Sequence, residues 1–486
     1  DPDVIRVEDT YYMVSTTMHF MPGCEILQSF DLVHWEHVTY VYETLDHTDA
    51  QQLKSGHNIY GQGMWAASLR YHEGRFYICF VANDTRKTYL YTSEKIDGPW
   101  KKQLIEGFYH DGSLLFDEDG RNYIVYGNDE IWITELNEDL TAPKKDGLHR
   151  LLVSDHKNPE LGYEGSHIQK INGYYYIFLV HSLRDRWMRT EACFYSDSLE
   201  GEFTGGDVLC DDRGYCGQGV AQGGIVDTPD GKWYAMLFQD SGAVGRIPIL
   251  LPVTWKDHFP FFGQNGHVPE EIEVHSTRPG YIYQPLVGSD DFCNGLLPRW
   301  QFNHDPDPRY YHLDALQGTY TITTREVCTE LTQAVNTLTQ RMSYPSCAAE
   351  VTVDASALKE GDVAGLCALQ GCYAAVGITK HHGKYEVLML DKKEDGILDM
   401  TEGTVVESHQ MDFRLEADFC NMKDEARCYY RVNKGDWLPI GTVHKLYFKL
   451  DHFTGCRFGL FCYAAEETGG SACFRDFKYY DVDEIS

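Results

Sequence analysis

The sequence has no long run of apolar residues. No stretch approaches the roughly eighteen consecutive apolar residues that a membrane-spanning helix requires, and no basic segment followed by an apolar one marks a signal peptide near the start. We therefore expect no membrane partner and predict a cytoplasmic protein. Secretion stays open as an alternative, should the natural chain begin upstream of Asp1.

Basic residues are in short supply. The chain has 42 Lys and Arg against 74 Asp and Glu, which gives a formal net charge of −32. This charge repels nucleic acid and anionic membrane surfaces. Nucleic acid is therefore excluded as a partner, whereas a neutral polysaccharide is not.

Paired cysteine motifs are also missing. The 15 cysteines show neither CxxC pairs nor the regular spacing of a zinc site, and several lie in apolar, strand-like runs: Cys79, Cys193, Cys367 and Cys462. Cysteines in such runs behave as small buried hydrophobic residues. The pattern favours a reducing compartment over a disulfide framework.

Helical periodicity is almost absent, and a loose repeat takes its place. Each copy has a turn with Gly or Asp beside strands rich in aromatic residues, and the five copies are "RVEDTYYMVS", "RYHEGRFYICF", "LFDEDGRNYIVYG", "QKINGYYYIFL" and "VDTPDGKWYAMLF". Glycine or aspartate supplies the tight turn, and alternating aromatic residues fill one face of a strand. Five such units in order predict a five-bladed β-propeller.

The repeat ends after "TRPGYIYQPLVG", and shorter strands follow. Segments such as "TYTITT", "KYEVLML" and "CRFGLFCYA" are separated by turn signals at regular spacing, which is typical of an antiparallel β-sandwich. The predicted fold class is all-β, with a propeller over residues 1–286 and a β-sandwich over residues 287–486 that packs against it.

Three acidic residues occupy equivalent positions in different blades. Asp1, Asp111 and Glu164 each precede a small or turn-forming residue and then an apolar strand. Because the inner strands of a propeller line a central channel, these side chains are expected to converge. Two carboxyl groups suffice to hydrolyse a glycosidic bond, one as proton donor and one as the base that activates water. A third, charged carboxylate nearby raises the pKa of the donor.

The motifs "DPDVIRVEDTYYMVSTT", "HDGSLLFDEDGRNYIVYG" and "YEGSHIQKINGYYYIFL" resemble, in the same order, those of glycoside hydrolase family 43, a family of five-bladed propellers. The tail from "SDDFCNGLLPRWQFNHDPDP" onwards is similar to the concanavalin A-like jelly-roll sandwich of its β-xylosidase and α-L-arabinofuranosidase members. The resemblance implies that Asp1 is the general base, Glu164 the general acid and Asp111 the modulator of the acid's pKa. Asp3, in the same turn as Asp1, is the alternative base. Family members invert the anomeric configuration, which requires carboxyl groups roughly 6.5–9.5 Å apart.

The resemblance also implies substrate contacts. Trp65 would lie on the apolar face of the sugar, and Arg246 would reach the substrate. A loop with Met18, His19 and Phe20 would shape the pocket. A core tryptophan and an internal ion pair are the respective alternatives for Trp65 and Arg246.

Further expectations concern the centre and the rim of the channel. His167 is predicted to be a packing residue. Gln222 stands where relatives have a histidine near a central calcium or water cluster. It is a candidate substrate contact and, through its amide oxygen, a candidate ligand for a structural calcium ion, although the chemistry requires no cofactor. The segment "QFNHDPDPRYY", with Phe302 and His304 at its tip, is predicted to narrow the pocket and so to favour exo cleavage, with interface packing as the alternative.

The leading interpretation is an inverting, exo-acting glycoside hydrolase that releases terminal or side-chain α-L-arabinofuranose from arabinoxylan or arabinan oligosaccharides. Met18, where xylosidase-like relatives have an aromatic residue, favours this over a β-D-xylosidase or a bifunctional enzyme acting on xylo-oligosaccharides. Two further hypotheses are a non-catalytic glycan-binding propeller and a retaining hydrolase of the fructan-cleaving type. The expected partners are neutral pentose-containing oligosaccharides, and the sequence indicates no oligomeric state.

Overall fold

Strands make up almost all of the regular structure. The computed structural model describes residues 1–481, and residues 482–486, at the end of the predicted second domain, lie outside that range. The helices within the described range are four 3₁₀ turns, Lys54–Gly56, Gly242–Val244, Leu331–Gln333 and Cys420–Met422. Over residues 1–481, no helix combines the length and the apolar character that a membrane crossing demands.

Five four-stranded antiparallel sheets follow one another along the first part of the chain. In chain order, the strands of the five blades are β1 (Asp3–Val7), β2 (Thr10–Val14), β4 (Gly23–Ser29) and β5 (Glu36–Tyr42); β6 (Met64–His72), β7 (Arg75–Ala82), β8 (Lys87–Ser93) and β9 (Lys101–Ile105); β10 (Ser113–Phe116), β11 (Asn122–Asn128), β12 (Glu130–Leu136) and β13 (His149–Ser154); β14 (Glu164–Ile171), β15 (Tyr174–Ser182), β16 (Arg189–Ser196) and β17 (Thr204–Leu209); β18 (Ala221–Asp227), β19 (Trp233–Asp240), β20 (Arg246–Lys256) and β21 (Phe259–Phe262).

Each blade follows the sequence repeat. In the second to fifth blades the turn between the first two strands contains a glycine with positive φ, at Gly74, Gly120, Gly173 and Gly231. Glycine adopts this conformation without the steric cost that a Cβ atom imposes. The turn chemistry and the aromatic strands that flank it are therefore sufficient to form the hairpins that the sequence predicted.

The blades close into a ring. The inner strands β1, β6, β10, β14 and β18 each contact the next, and β18 contacts β1. At this junction the Nε atom of Arg6 lies 3.1 Å from Oδ1 of Asp227, and Val4 packs in one buried cluster with Val226. Packing and an ion pair thus join the first and last blades, and the second to fifth blades are each built from four consecutive strands. The predicted five-bladed propeller is confirmed.

An arginine ties the inner strands together inside the channel. Nη1 of Arg70 on β6 lies 2.8 Å from Oδ2 of Asp3 on β1, and its other nitrogens donate to the carbonyl oxygens of Leu114 and Ile168 at 2.9 and 3.2 Å. The Nδ1 atom of His167 lies 3.1 Å from the second oxygen of Asp3. Burial alone would raise the pKa of Asp3, but Arg70 and His167 hold it below its usual value. Arg70, Asp3 and His167 therefore hold four blades in register.

The second half of the chain forms two antiparallel sheets packed face to face, as predicted for a sandwich. One sheet has nine strands in the order β3 (Phe20–Met21), β22 (Gln301–Asn303), β25 (Leu338–Arg341), β35 (Arg457–Tyr463), β27 (Val363–Leu369), β28 (Ala374–His381), β29 (Lys384–Lys392) and β30 (Leu398–Met400), with β31 (Thr404–Val406) also on β29. The other has the order β23 (Tyr311–Asp314), β24 (Thr319–Thr323), β36 (Ser471–Asp481), β26 (Ser346–Asp354), β32 (Gln410–Asp418), β33 (Glu425–Val432) and β34 (Leu438–Lys445).

A strand of the propeller sequence completes the nine-stranded sheet. Strand β3 leaves the first blade and pairs with β22, so that Phe20 faces Asn303 and Met21 faces Phe302. The two domains therefore share a hydrogen-bonded sheet as well as a packed interface. All 15 cysteines are free thiols, and Cys79, Cys193, Cys367 and Cys462 are buried as predicted.

Candidate active site

Three blades each bring one carboxylic acid to the same end of the channel. Asp1 lies two residues before β1, Asp111 lies two residues before β10, and Glu164 is the first residue of β14. These are inner strands of the first, third and fourth blades. The shared position at the start of an inner strand is what the repeat predicted for all three residues.

Asp111 and Glu164 lie next to each other. Oδ2 of Asp111 accepts a hydrogen bond from the backbone N–H of Gly165 at 2.9 Å. The Nε2 atom of His110 lies 3.6 Å from that oxygen and 3.7 Å from Oε2 of Glu164. The side-chain amide of Asn128 donates to the same Glu164 oxygen at 2.7 Å. One imidazole therefore contacts both carboxyl groups.

Asp1 belongs to a separate, arginine-centred network. Its Oδ1 lies 2.5 Å from Nη1 of Arg246, and its Oδ2 accepts a hydrogen bond from Thr16 at 2.5 Å. Nε of Arg246 is in turn 3.2 Å from Oδ1 of Asp240, whose other oxygen pairs with Arg189. The positive charges of Arg189 and Arg246 also act to lower the pKa of Glu164. The two arginines therefore couple Asp1 electrostatically to the Asp111–Glu164 pair.

The pKa order of the adjacent carboxyl groups differs from the expected one. Burial raises the pKa of Asp111, and the neighbouring charge of Glu164 raises it further. Burial also acts to raise the pKa of Glu164, but His110 and the two arginines outweigh it and hold that pKa below its usual value. The same two carboxylates raise the pKa of His110 to about 9. Burial and neighbouring charge therefore favour protonation of Asp111 over protonation of Glu164.

Alternating aromatic and cationic groups form the wall of the site. The guanidinium of Arg246 lies between the rings of Phe238 and Phe453, at 4.4 and 4.2 Å from their centroids. The ring of Phe453 contacts Trp65 edge-on, and Trp65 is 6.1 Å from the ring of His110. Stacked aromatic and apolar faces of this kind bind the C–H face of a sugar. Phe453 comes from the sandwich, in the loop before β35.

A cavity of about 770 Å³ opens beside this wall, between the first blade, the fifth blade and the sandwich. Asp1, Arg246 and Phe453 line one end of it, whereas Asp111 and Glu164 do not line it. A search for the catalytic residues by cavity volume alone would therefore miss Asp111 and Glu164. The positions of the carboxyl groups are the better guide, since acid–base catalysis depends on them.

The structure places Trp65 and Arg246 at the site but not His19 or Phe20. Both of the latter are completely buried: the ring of His19 packs 4.8 Å from that of His304, and Arg457 covers the ring of Phe20 at 3.7 Å. The reason is that β3 carries this loop into the interface with the sandwich. Met18 is also completely buried, and its sulfur accepts a hydrogen bond from Thr454 at 3.6 Å.

The predicted pocket rim at Phe302 and His304 is wrong. Phe302 packs in the sandwich core, 5.1 Å from the ring of Tyr311. His304 is completely buried, and its Nε2 accepts the backbone N–H of Ile59 at 3.0 Å. The segment is interface packing, and the sandwich reaches the pocket through Phe453 instead.

Sequence reasoning missed five groups at the site. They are His110, Asn128, Arg189, Asp240 and Phe453. His110 directly precedes Asp111, and Asn128 ends the neighbouring strand, so both had a local signal. No local feature identifies Phe453, because only the docking of the sandwich brings it to Trp65.

Gln222 lies beside the acid pair but is enclosed. Its side chain packs against Gly165, where an added Cβ would come within 2.6 Å of it, and its backbone N–H donates to Glu191 at 2.7 Å. The second carboxylate oxygen of Glu191 is buried without a hydrogen-bond partner. An amide and a carboxylate oxygen are ligands that suit calcium, but calcium takes six to eight oxygens. Calcium binding at Gln222 stays a prediction, and the acid–base chemistry does not depend on it.

Convergent donor atoms of the kind that hold a metal ion occur at the acid pair itself. The donor atoms of His110, Asp111 and Glu164 lie within 4.8 Å of one another. Two of these residues form the carboxyl pair, and both already accept N–H hydrogen bonds. We therefore interpret His110, Asp111 and Glu164 as a group that takes part in proton transfer and not as a metal site.

Comparisons with known proteins agree with this architecture. The model of glycosyl hydrolases family 43 matches residues 1–260, and the model of the β-xylosidase C-terminal concanavalin A-like domain matches residues 289–480. A β-xylosidase of Formosa agariphila is 26% identical, over 99% of this chain and 87% of its own length. A non-reducing end α-L-arabinofuranosidase of Bacteroides ovatus is 25% identical, over 65% of this chain and 62% of its own.

A solved structure extends the comparison to three dimensions. The bifunctional GH43-CE protein of Bacteroides eggerthii superposes with a TM-score of 0.91 and is 42% identical to this chain. The superposition covers 100% of this chain, which spans 62% of the length of that protein.

Proposed function

The chain belongs to glycosyl hydrolase family 43 and is a glycosidase; on this basis we propose that it is an inverting, exo-acting enzyme that removes one terminal pentose from oligosaccharides of xylan or arabinan. The observation that carries the proposal is the convergence of three carboxyl groups from separate blades. Asp111 and Glu164 are adjacent, and Asp1 is connected to them through Arg246.

The division of roles follows from the contacts of each carboxyl group. Asp1 forms an ion pair with Arg246 and is the base that takes a proton from the attacking water. Glu164 gives its proton to the bridging oxygen as the bond from that oxygen to the anomeric carbon breaks. Water attacks from the opposite face, and the configuration inverts. Each turnover leaves a proton on Asp1 and a carboxylate on Glu164, and exchange with solvent restores both.

Substrate binding must move the shared proton towards Glu164. Burial and neighbouring charge favour protonation of Asp111 over protonation of Glu164. A sugar that fills the pocket removes water from Glu164, the more exposed of the two, and desolvation favours its neutral form. Asp111 then keeps the charge that holds the proton on Glu164.

The exo mode is supported by the sandwich domain. Phe453 is almost completely buried, between Trp65 and Arg246. Its ring blocks one side of the pocket, where an endo-acting enzyme would need an open groove. A pocket closed in this way accepts a chain end or a side branch.

The identity of the pentose is open between two candidates, α-L-arabinofuranose and β-D-xylopyranose. The sequence-based preference for arabinofuranose depends on Met18, which is completely buried and offers no surface to a sugar. One relative is named a β-xylosidase and another an α-L-arabinofuranosidase. We therefore propose both activities for the same pocket, with neutral pentose-containing oligosaccharides as substrates.

Release of 4-nitrophenol from the α-L-arabinofuranoside and the β-D-xyloside tests the proposal. Wild type should hydrolyse at least one of them, and Glu164→Gln should lose about 10²- to 10⁴-fold in kcat. The loss should be larger on an unactivated disaccharide, whose leaving oxygen needs the proton more. Background release by both proteins would favour a glycan-binding propeller. A proton NMR time course of the first anomer released distinguishes inversion from retention, and retention would remove Asp1 from the role of base.

A further inference from the structure

His110 is a titratable group that the proposed acid–base scheme leaves without a role. It lies on the segment before β10, and its side chain is 21% exposed. Nε2 is 3.6 Å from Oδ2 of Asp111 and 3.7 Å from Oε2 of Glu164. The ring is thus placed between the two carboxyl groups, on the side facing Trp65.

The other groups around the Asp111–Glu164 pair cannot replace the positive charge of His110. The backbone N–H of Gly165 and the amide of Asn128 donate to the two carboxyl groups at 2.9 and 2.7 Å, but both are neutral. Arg246 and Arg189 are cationic, yet each is engaged with a carboxylate of its own, Asp1 or Asp240.

The exposed Arg86 is a further cation near His110. Its guanidinium stacks on Phe108 at 3.8 Å, and its charge opposes protonation of the imidazole. The two carboxylates outweigh Arg86, because the pKa of His110 is raised to about 9. The imidazole is therefore protonated at neutral pH.

A cation at this position has a definite effect on the proton transfer. When Glu164 donates its proton, the O–H bond breaks, the proton joins the leaving oxygen, and a carboxylate remains on Glu164. A positive charge within 4 to 6 Å stabilises that carboxylate and so makes Glu164 a stronger acid. His110 neither gains nor loses a proton in this step.

We propose that His110 is a positioning residue whose positive charge sets the acid strength of the Asp111–Glu164 pair, and with it the upper pH limit of catalysis. The proposal rests on the function proposed above. It assigns to His110 a role in the chemistry that a structural ion pair would not have.

The pH profile of kcat/KM for His110→Gln tests this role. Loss of the positive charge should raise the pKa of the carboxyl pair, so the alkaline limb should move to higher pH by roughly one to three units. His110→Lys, which keeps the charge, should leave the limb close to its wild-type position. An unchanged limb in His110→Gln, with a normal circular dichroism spectrum, would overturn the proposal.

A titration of His110 itself tests the same coupling without replacing the histidine. Because the coupling is reciprocal, the pKa of His110, followed by NMR of its ring Cε1–H, should fall by one unit or more in Glu164→Gln relative to wild type. An equal pKa in the two proteins would overturn the proposal even if the His110 variants fail to fold.

The two experiments also separate this inference from the proposed function. A wild-type protein inactive on every pentoside would contradict the proposed function, and with it the role of His110. An active wild type with an inactive Glu164→Gln, but with no shift of the alkaline limb in His110→Gln, would contradict the role of His110 alone.

Discussion

The ring of Phe453 stands edge-on against the indole of Trp65, with centroids 5.4 Å apart and planes at 88°. Phe453 belongs to the sandwich and Trp65 to the second blade. The same ring lies 4.2 Å from the guanidinium of Arg246. The second domain therefore supplies part of the pocket wall, and the proposed active site is complete only when the two domains are docked.

Phe453→Ala is expected to raise KM for the pentoside about 10- to 100-fold. Burial of a phenylalanine side chain is worth about 1.5–3 kcal/mol, and its removal also opens the pocket wall to water. Steady-state kinetics would measure the change. Phe302→Leu is the matched control, since Phe302 lies in the sandwich core and does not line the cavity. An unchanged KM in Phe453→Ala would show that the wall does not contact the sugar.

Asp1→Asn and Asp3→Asn should have different consequences, although the residues are two positions apart. Asp1→Asn should abolish most turnover, because an amide cannot accept the proton from water. Asp3→Asn should lower the free energy of unfolding by about 3–5 kcal/mol, because it leaves the buried Arg70 without its counter-ion. Urea unfolding and kinetics on both variants would measure this. Loss of turnover at full stability in Asp3→Asn would instead make Asp3 the base.

The pH dependence of the Asp3 contribution has a definite sign. The pKa of Asp3 is below its usual value in the folded protein, so folding is favoured by the ionised form. This stabilisation is present above the unfolded-state pKa of about 4 and is lost as pH falls through the lower folded-state pKa. The stability difference between wild type and Asp3→Asn should therefore shrink below about pH 4.

Asp240→Asn should impair both stability and turnover. Asp240 pairs with Arg189 and Arg246, and all three are almost fully enclosed. Removal of its charge leaves two buried cations with less compensation, which costs about 3–5 kcal/mol for a broken buried pair. It also releases Arg246 from its position on Asp1. A variant with normal unfolding free energy and normal kcat would show that neither arginine depends on Asp240.

Acid should weaken the interface between the domains. His19 and His304 are completely buried there, and burial together with neighbouring positive charge lowers the pKa of each. A histidine with a lowered folded-state pKa favours folding above its unfolded-state pKa of about 6.5 and opposes it as pH falls below that value. The expected cost between pH 7 and pH 5 is about 2 kcal/mol for each residue.

Denaturant unfolding at pH 7 and pH 5 would measure this cost. His19→Phe should reduce the pH dependence, since both ring nitrogens of His19 lack a hydrogen-bond partner and the ring can be replaced without losing one. His156→Gln, at an exposed position, is the control and should behave as wild type. A pH dependence equal in His19→Phe and wild type would contradict the assignment.

The repeat alone was enough to predict the blades. Turn glycines and aromatic strands act within a few residues of one another, so each hairpin is specified locally, and the positions of Asp111 and Glu164 follow from it. The burial of residues 18–20 in the domain interface could not be predicted from the repeat. It depends on the pairing of β3 with β22, which is about 280 residues away in the sequence.

What the sequence determined by itself was therefore the all-β class, the ring of five repeats and the three acids that start inner strands, since these depend on short-range backbone chemistry and alternation. Only the tertiary structure decided that Phe453, not Phe302, closes the pocket, and that His110 lies between the two carboxyl groups. Domain docking, and the balance between burial and nearby charge, depend on contacts between residues that are far apart in the sequence. A local sequence pattern therefore cannot predict them.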